Sequence, residues 1–290
     1  PIFIFDKELF KLETSSSFHL RFIKDSLNDL KNKLKKKYNS NLSIHYGDTK
    51  EIFNYLIRKY SVSEIYSNRI FKHKYLMDLD KKCENLFNDL KVKWILTNQF
   101  GIDLNHRERH KWSYNWNKFI QSGKNSVKFN CKFINIKGNF EFYDVKTNEI
   151  NGKLIQRGGR DEAIKLLDSF IETRSENYQR EMSSPISGET ACSRLSPHIT
   201  YGTISLQEIH RKIKDRLKKV CTINKRKSLI AFKSRLVWHC HFIQKLYDEP
   251  EIEYKNLNSA FDILRKDFNE KHYEDWKSGM TGYPFIDACM

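Results

Sequence analysis

Cys192-Ser193-Arg194-Leu195-Ser196-Pro197-His198 is the stretch on which the reading of this chain turns. It sets thiol and hydroxyl side chains beside a predicted helix start. Backbone N–H groups at such a start lack intrahelical partners, the dipole there favours anions, and serine adds donors without bulk. A buried diphosphate suits that donor set. Taken alone, the run reads first as an ordinary N-cap, and what surrounds it overturns that reading.

From Gly158 onward, on both sides of this stretch, the pattern is helical. Asp161 and Glu162 follow Gly158-Gly159 in a first turn, where carboxylates complement the dipole, and Ala163, Leu166, Leu167 and Phe170 form a buried stripe. Further helices are expected at Ser205–Lys218, Ser228–Leu246, Ser259–Phe268 and from Pro284 onward, with no strand among them. Upstream, short apolar runs alternate with amphipathic ones. Strands are expected at Ile2–Phe5, Leu42–Tyr46, Glu64–Tyr66 and Lys93–Thr97, and helices at Phe18–Tyr38, Lys50–Tyr60 and Tyr75–Leu90. That order predicts a parallel, Rossmann-like sheet with right-handed crossovers. No G-x-G-x-x-G follows a strand, so a dinucleotide on this layer is unsupported. The fold class is therefore α/β then all-α: an α/β domain over 1–104, an interdomain linker over 105–155 and a helical domain over 156–290. Within the linker, Trp112 and Trp116 lie four apart and read as core. Phe129, Cys131 and Phe133, then Phe140 and Phe142, alternate about Gly138 and read as a β-hairpin.

Composition narrows the partners. The chain has 290 residues, with 52 Lys+Arg against 36 Asp+Glu, a formal net charge of +16. That excess favours a polyanion through phosphate contacts and counterion release, although a lysine-rich solvated surface also accounts for it. Six scattered cysteines form no C-x-x-C pair, which indicates neither zinc nor a disulfide framework and fits a reducing compartment, cytoplasmic or nuclear. In His239-Cys240-His241 the two imidazoles sit about 200° apart on a helix, a poor pair of metal ligands. No signal peptide or membrane-spanning run is present. Pro1 leads directly into a buried-strand pattern and Met290 falls within an expected helix, so a fragment is anticipated.

With these motifs placed, the chain resembles the cryptochrome/photolyase family. Gly158-Gly159 with Ala163 resembles the G-G-x-x-x-A opening of its FAD-binding helical domain. Tyr178, seven residues before Pro185, resembles the Tyr before the phosphate loop. Cys192 to Pro197 resembles T-S-R-L-S-P, and Gly202 with Ser205 the following G-x-[IL]-S. Trp238 stands where the family has W-R-[ED]-F. Trp276, Gly279, Thr281-Gly282-Tyr283-Pro284 and Asp287-Ala288 match W-x-x-G-x-T-G-Y-P-x-[IV]-D-A almost letter for letter. The resemblance is strong over 158–290 and weak before it.

It implies an antenna-chromophore domain lacking its first strand and part of its second, and a partial helical domain holding FAD. In the family's repair enzymes, light-excited reduced FAD gives an electron to a pyrimidine dimer flipped out of UV-damaged DNA, and the electron returns after the ring splits. Carried over by position, Tyr178, Ser193, Arg194, Leu195 and Ser196 fall at the FAD phosphates and ribityl chain, with Cys192 where Thr is usual. Phe232 falls against the flavin region, and Trp238 at the wall that stacks on the lesion.

Several positions depart from the pattern. Arg235 replaces a Glu that hydrogen-bonds lesion bases in many dimer repair enzymes. Arg has donors only, so it suits a phosphate or the FAD diphosphate. His239 replaces the family's Arg and is expected among the cofactor-binding residues. Lys266 stands where many members keep the surface end of a tryptophan electron chain, leaving Tyr273 or Tyr254 as substitutes. Residues 66–80 lack the acidic pattern used for folate, so a second, antenna chromophore has no identity. The expected activity is that of a deoxyribodipyrimidine photo-lyase acting as a monomer with no membrane contact. The alternatives are a cryptochrome-type blue-light receptor and a basic nucleic-acid-binding protein without cofactor.

Overall fold

The computed structural model describes residues 1–71, 73–104, 111–122, 132–141, 156–264 and 266–290. β1 (Ile2–Asp6) pairs in parallel with β2 (Ser43–Gly47), and β3 (Glu64–Asn68) with β4 (Lys93–Thr97). Helices α1 (Ser17–Tyr38), α2 (Thr49–Tyr60) and α3 (Lys74–Asp89) make the three crossovers. These bounds lie within one or two residues of those expected. The start of α1 is set by a capping box between Ser16 and His19, and its end by Asn39 in the left-handed region. Phe22, Ile23 and Leu27 supply its buried face.

The strands form two parallel pairs rather than the single sheet expected, and no ladder joins β1–β2 to β3–β4 among the described residues. Side chains join them instead. At the end of β1, Asp6 accepts from Thr49 N (3.2 Å) and Thr49 Oγ1 (2.7 Å) at the start of α2, and from the Tyr75 hydroxyl of α3 (2.5 Å). Ile57 of α2 packs with Phe87 and Val92 beside β4.

The expected hairpin about Gly138 is not formed: described residues 132–141 contain no strand, and Phe129, Cys131 and Phe142 lie outside the described residues. The segment lies along β2, whose outer edge offers unpaired backbone groups. Phe140 N donates to Ile44 O (3.3 Å), and the Asn139 carboxamide accepts from Tyr46 N (2.8 Å) and donates to Tyr46 O (3.1 Å). A Cβ on Gly138 would come within 1.9 Å of Ile44 O, so only glycine lets the chain lie this close.

The second half is helical. α4 (Trp112–Gln121), α5 (Arg160–Glu172), α9 (Leu206–Leu217) and α10 (Ile223–Asp248) share one core. Trp112 and Trp116 are buried in it, as their spacing indicated. Between α5 and α9 lie the short helices α6 (Tyr178–Glu181), α7 (Gly188–Ala191) and α8 (Ser196–Thr200). Arg160 ties α5 to α9 through Nη2, which donates to both carboxylate oxygens of Glu208 (2.8 and 3.0 Å).

α1 caps the start of α5. Asp25 accepts from Gly158 N (3.3 Å), Ser26 Oγ from Gly159 N (3.0 Å) and Asp29 from Arg160 N (2.8 Å). Three donors that a helix start leaves unpaired are thus satisfied by the α/β half. Gly158 is needed for the approach, because a Cβ there would lie 2.1 Å from Phe22 O.

No described residue after Gln244 is buried. The helix expected over 259–268 is a single 3-10 turn, Ser259–Ile263. α11 (Glu270–Lys277) begins afresh after Asn269, whose side chain accepts from His272 N, and α12 spans Pro284–Asp287. The Thr281-Gly282-Tyr283-Pro284 motif closes on Asp287, which accepts from Thr281 N (2.9 Å), Thr281 Oγ1 (2.5 Å) and Gly282 N (3.0 Å). Those bonds hold the Asp287 carboxyl below its usual range.

Candidate functional site

The stretch 192–198 is organised by a residue the sequence reading passed over, Arg174. Its guanidinium is partly buried over the Phe170 ring and donates to Leu166 O (2.7 Å), Thr190 O (3.3 Å), Ser193 O (3.3 Å) and Cys192 O. The planar fork of donors serves four carbonyls at once, which a lysine could not do. A guanidinium facing carbonyls carries no sequence motif, so only the packing exposes its role. Burial draws its pKa downward.

Within the loop the residues divide by environment. Leu195 is fully buried and anchors the loop in the helical core, whereas Ser196 and Arg194 are exposed. Arg194 adopts φ 60°, a left-handed turn that reverses the chain before α8. Ser193 is buried, and its Oγ accepts from Leu195 N at 3.4 Å. Ser193 N and Arg194 N donate to no described residue. His198, on α8, is wholly buried: Nδ1 meets Thr203 Oγ1 (2.8 Å), its ring lies edge-on to Phe22 of α1, and burial lowers its pKa to about 4.

Tyr178 is the hub between this loop and α10. Its ring meets Phe170 and Phe232 edge-on at 5.4 and 5.7 Å, and its hydroxyl interacts with Arg235. Burial, and next the neighbouring Cys192, push the phenol upward, while Arg235 opposes them. Met182 lies between the remaining partners: Arg235 Nη2 approaches its sulfur (3.9 Å), and Cys192 Sγ faces its carbonyl (4.0 Å). Burial keeps the Cys192 thiol raised despite Arg194 and Arg174. Tyr178, Cys192, Phe232 and Arg235 are therefore brought together, with Ser193 and Arg194 adjoining.

Trp238 lies one turn beyond Arg235 on α10 and is 47% exposed. It meets His241 edge-on (5.4 Å) and Phe242 in a tilted contact (5.8 Å). His239 is separate. Its ring is partly buried edge-on to Phe100 at 5.0 Å, with Nδ1 buried and without a partner among the described residues and the pKa lowered by burial. The structure places it at the junction with the segment after β4, away from Tyr178. Tyr254 and Tyr273 are both exposed, the latter against Trp276 at 6.0 Å.

The donor set suits an anionic cofactor. Tyr178, Ser193, Ser196, Arg194, Arg235 and two main-chain N–H groups can all donate hydrogen bonds, and the set carries positive charge and no carboxylate, the chemistry a diphosphate requires. Helix dipole adds less than the sequence implied, because α8 is five residues long and has no side-chain cap. Among the described residues no group of three metal-ligating side chains occurs, and no helix is long and apolar enough to cross a membrane. A separate cleft of about 220 Å³ lies beyond the ends of β3 and β4, lined by Asn68, Asn98, Gln99, Gly202, Ser205 and Gln207.

Residues 1–99 match the DNA photolyase family and residues 232–290 the FAD-binding domain of DNA photolyase. The deoxyribodipyrimidine photo-lyase of Streptomyces griseus is 32% identical over 139 residues, 47% of this chain and 27% of the relative. Cryptochrome-2 of Gallus gallus is 23% identical over 93% of this chain and 50% of its own length. A bacterial class III photolyase from Agrobacterium tumefaciens shares the fold with a TM-score of 0.78 at 22% identity, over 99% of this chain and 61% of that one. A Synechocystis cryptochrome gives 0.75 at 16% identity, over 99% and 63%. The chain thus spans about a quarter to a half of these curated relatives and about three fifths of the solved ones. The two family matches together cover more than half of the chain, which belongs to the cryptochrome/photolyase family.

Proposed function

We propose that this chain carries part of a light-dependent DNA photolyase acting on cyclobutane pyrimidine dimers. The observation that carries the reading is the carboxylate-free, positively charged cluster of Tyr178, Ser193, Arg194 and Arg235, with Arg235 one helical turn from an exposed indole, Trp238. Bound there, FAD would supply the light-excited electron donor that opens the dimer ring. The protein's own part is binding and placement. Tyr178, Ser193, Ser196, Arg194 and Arg235 hold the diphosphate, Cys192 adds only a weak S–H donor, and Leu195 fixes the loop. Phe232 backs the Tyr178 ring, and Trp238 stacks on the lesion. His239, expected at the same cofactor, serves instead as packing against Phe100.

Photolyases are among the enzymes that flip their target base out of the stack, and a damaged base costs less to extrude. The net charge of +16 supplies attraction for the DNA backbone. Arg235 serves an anion rather than lesion carbonyl and amide groups equally, since it cannot accept. The carboxamide-lined cleft beyond β3 and β4 is the place for a second chromophore: ligands in parallel α/β folds bind outside the carboxyl ends of the strands. A photolyase of Sulfolobus tokodaii, similar in fold, has two FAD molecules.

Equilibrium binding of FAD tests the cofactor assignment. Removing two hydroxyl donors in Tyr178→Phe/Ser193→Ala should weaken binding roughly 10- to 100-fold. Unchanged affinity would remove the cluster from the site. The receptor reading, favoured by the near-complete overlap with an avian cryptochrome, is selected if FAD binds and light leaves dimers intact.

A further inference from the structure

We propose that His241 is the positioning residue for Trp238 and is itself set by Trp112 of α4. This rests on the reading of Trp238 as the stacking wall. An exposed indole has several rotamers, and fixing one on binding costs conformational entropy that a preset orientation avoids. His241 follows Trp238 by three residues, the spacing at which helix side chains adjoin.

The imidazole stands between two indoles. It meets Trp238 at 5.4 Å with planes 85° apart, and Trp112 at 5.5 Å with planes 81° apart. Trp112 is 8% exposed and packed in the helical core, so it provides a fixed reference. Phe242 also meets Trp238, at 5.8 Å and 30°, and lies against His241 at 5.7 Å with planes 69° apart. Trp238 thus rests against an edge-on ring and a tilted one that touch each other, and the edge-on ring is tied to buried structure. His241 occupies the last place of the W-R-[ED]-F pattern, where the family carries another aromatic ring. Edge-to-face contact is the property the two rings share.

The experiment labels the protein's five tryptophans with 5-fluorotryptophan and assigns each ¹⁹F resonance by single Trp→Phe exchanges. His241→Ala should shift the Trp238 and Trp112 resonances and leave Trp94 and Trp276 in place. It should also weaken binding of a dimer-containing single-stranded oligonucleotide roughly 3- to 10-fold. His241→Phe should restore both. Trp112→Leu gives a second approach, because it should move the Trp238 resonance without touching that ring. A Trp238 resonance unmoved in His241→Ala, or not restored by Phe, would overturn the proposal. If Trp238→Ala leaves oligonucleotide affinity unchanged, the stacking role falls instead, a result the resonances report separately.

Discussion

Replacing Gly158 with alanine should loosen the two halves of the molecule. A Cβ at this position would stand 2.1 Å from Phe22 O, 2.5 Å from Ser26 Oγ and 3.0 Å from Phe22 C. The first and last are main-chain atoms within α1, which cannot turn aside as a side chain end would. Relief requires the start of α5 to withdraw from α1, which stretches the bonds from Gly158 N, Gly159 N and Arg160 N to Asp25, Ser26 and Asp29. Overpacking costs about 1–3 kcal/mol, and weakened caps cost about 1 kcal/mol each. The sum over the three caps, roughly 4–6 kcal/mol, lowers a melting midpoint by about 8–24 °C in a chain of this size. Gly188→Ala is the matched control: it opens α7, a Cβ there would lie 3.5 Å from its nearest neighbour, and alanine favours helix. Thermal unfolding of both variants, followed by circular dichroism, decides the matter. A Gly158→Ala protein melting with the wild type would refute the claim that this glycine exists for contact with α1.

Acid should destabilise the protein through His198. Its folded pKa of about 4 lies below the unfolded value near 6.5, so its contribution is complete above that value and is lost as pH falls toward 4. The loss amounts to roughly 3 kcal/mol. His198→Asn should flatten the dependence of the denaturation midpoint between pH 6.5 and 4. Asp80 has the opposite sign: burial raises its carboxyl to about 6, so stability is lost as pH rises from 3.8 through that value. Asp80→Asn should therefore raise the midpoint more at pH 7.5 than at pH 4. Arg174→Lys keeps the charge but cannot serve four carbonyls, so flavin content per purified protein should fall several-fold; full content would show that the loop needs no fork.

Much of this was legible in the residues. Apolar periodicity placed α1, α2, α3 and the four strands within one or two residues, because alternating and three-to-four spacings map onto burial directly. The joining of strand pairs was not legible: sheet order depends on contacts such as Asp6 to Tyr75, 69 residues apart. The segment at Gly138 misled because an alternating run flanking a glycine reads as a hairpin, while its real partner is the edge of β2. Gly158-Gly159 was read as a family signature, and its physical task is to dock α5 on α1. At the site, Tyr178, Cys192, Phe232 and Arg235 were named from motif positions and do converge. His239 does not join them, since its place on α10 turns it toward Phe100. Arg174 went unnoticed because its partners are carbonyls, which no side-chain pattern encodes.

Dimer content of UV-irradiated DNA, measured after blue-light exposure with the reduced, FAD-loaded protein, bears most directly on whether the donor cluster and the neighbouring indole form a repair centre. Dimers should decline in the light, persist in the dark, and persist longer in the light with Trp238→Ala. A sample that retains its flavin and binds damaged DNA, yet leaves dimers at their starting level under illumination, would contradict it.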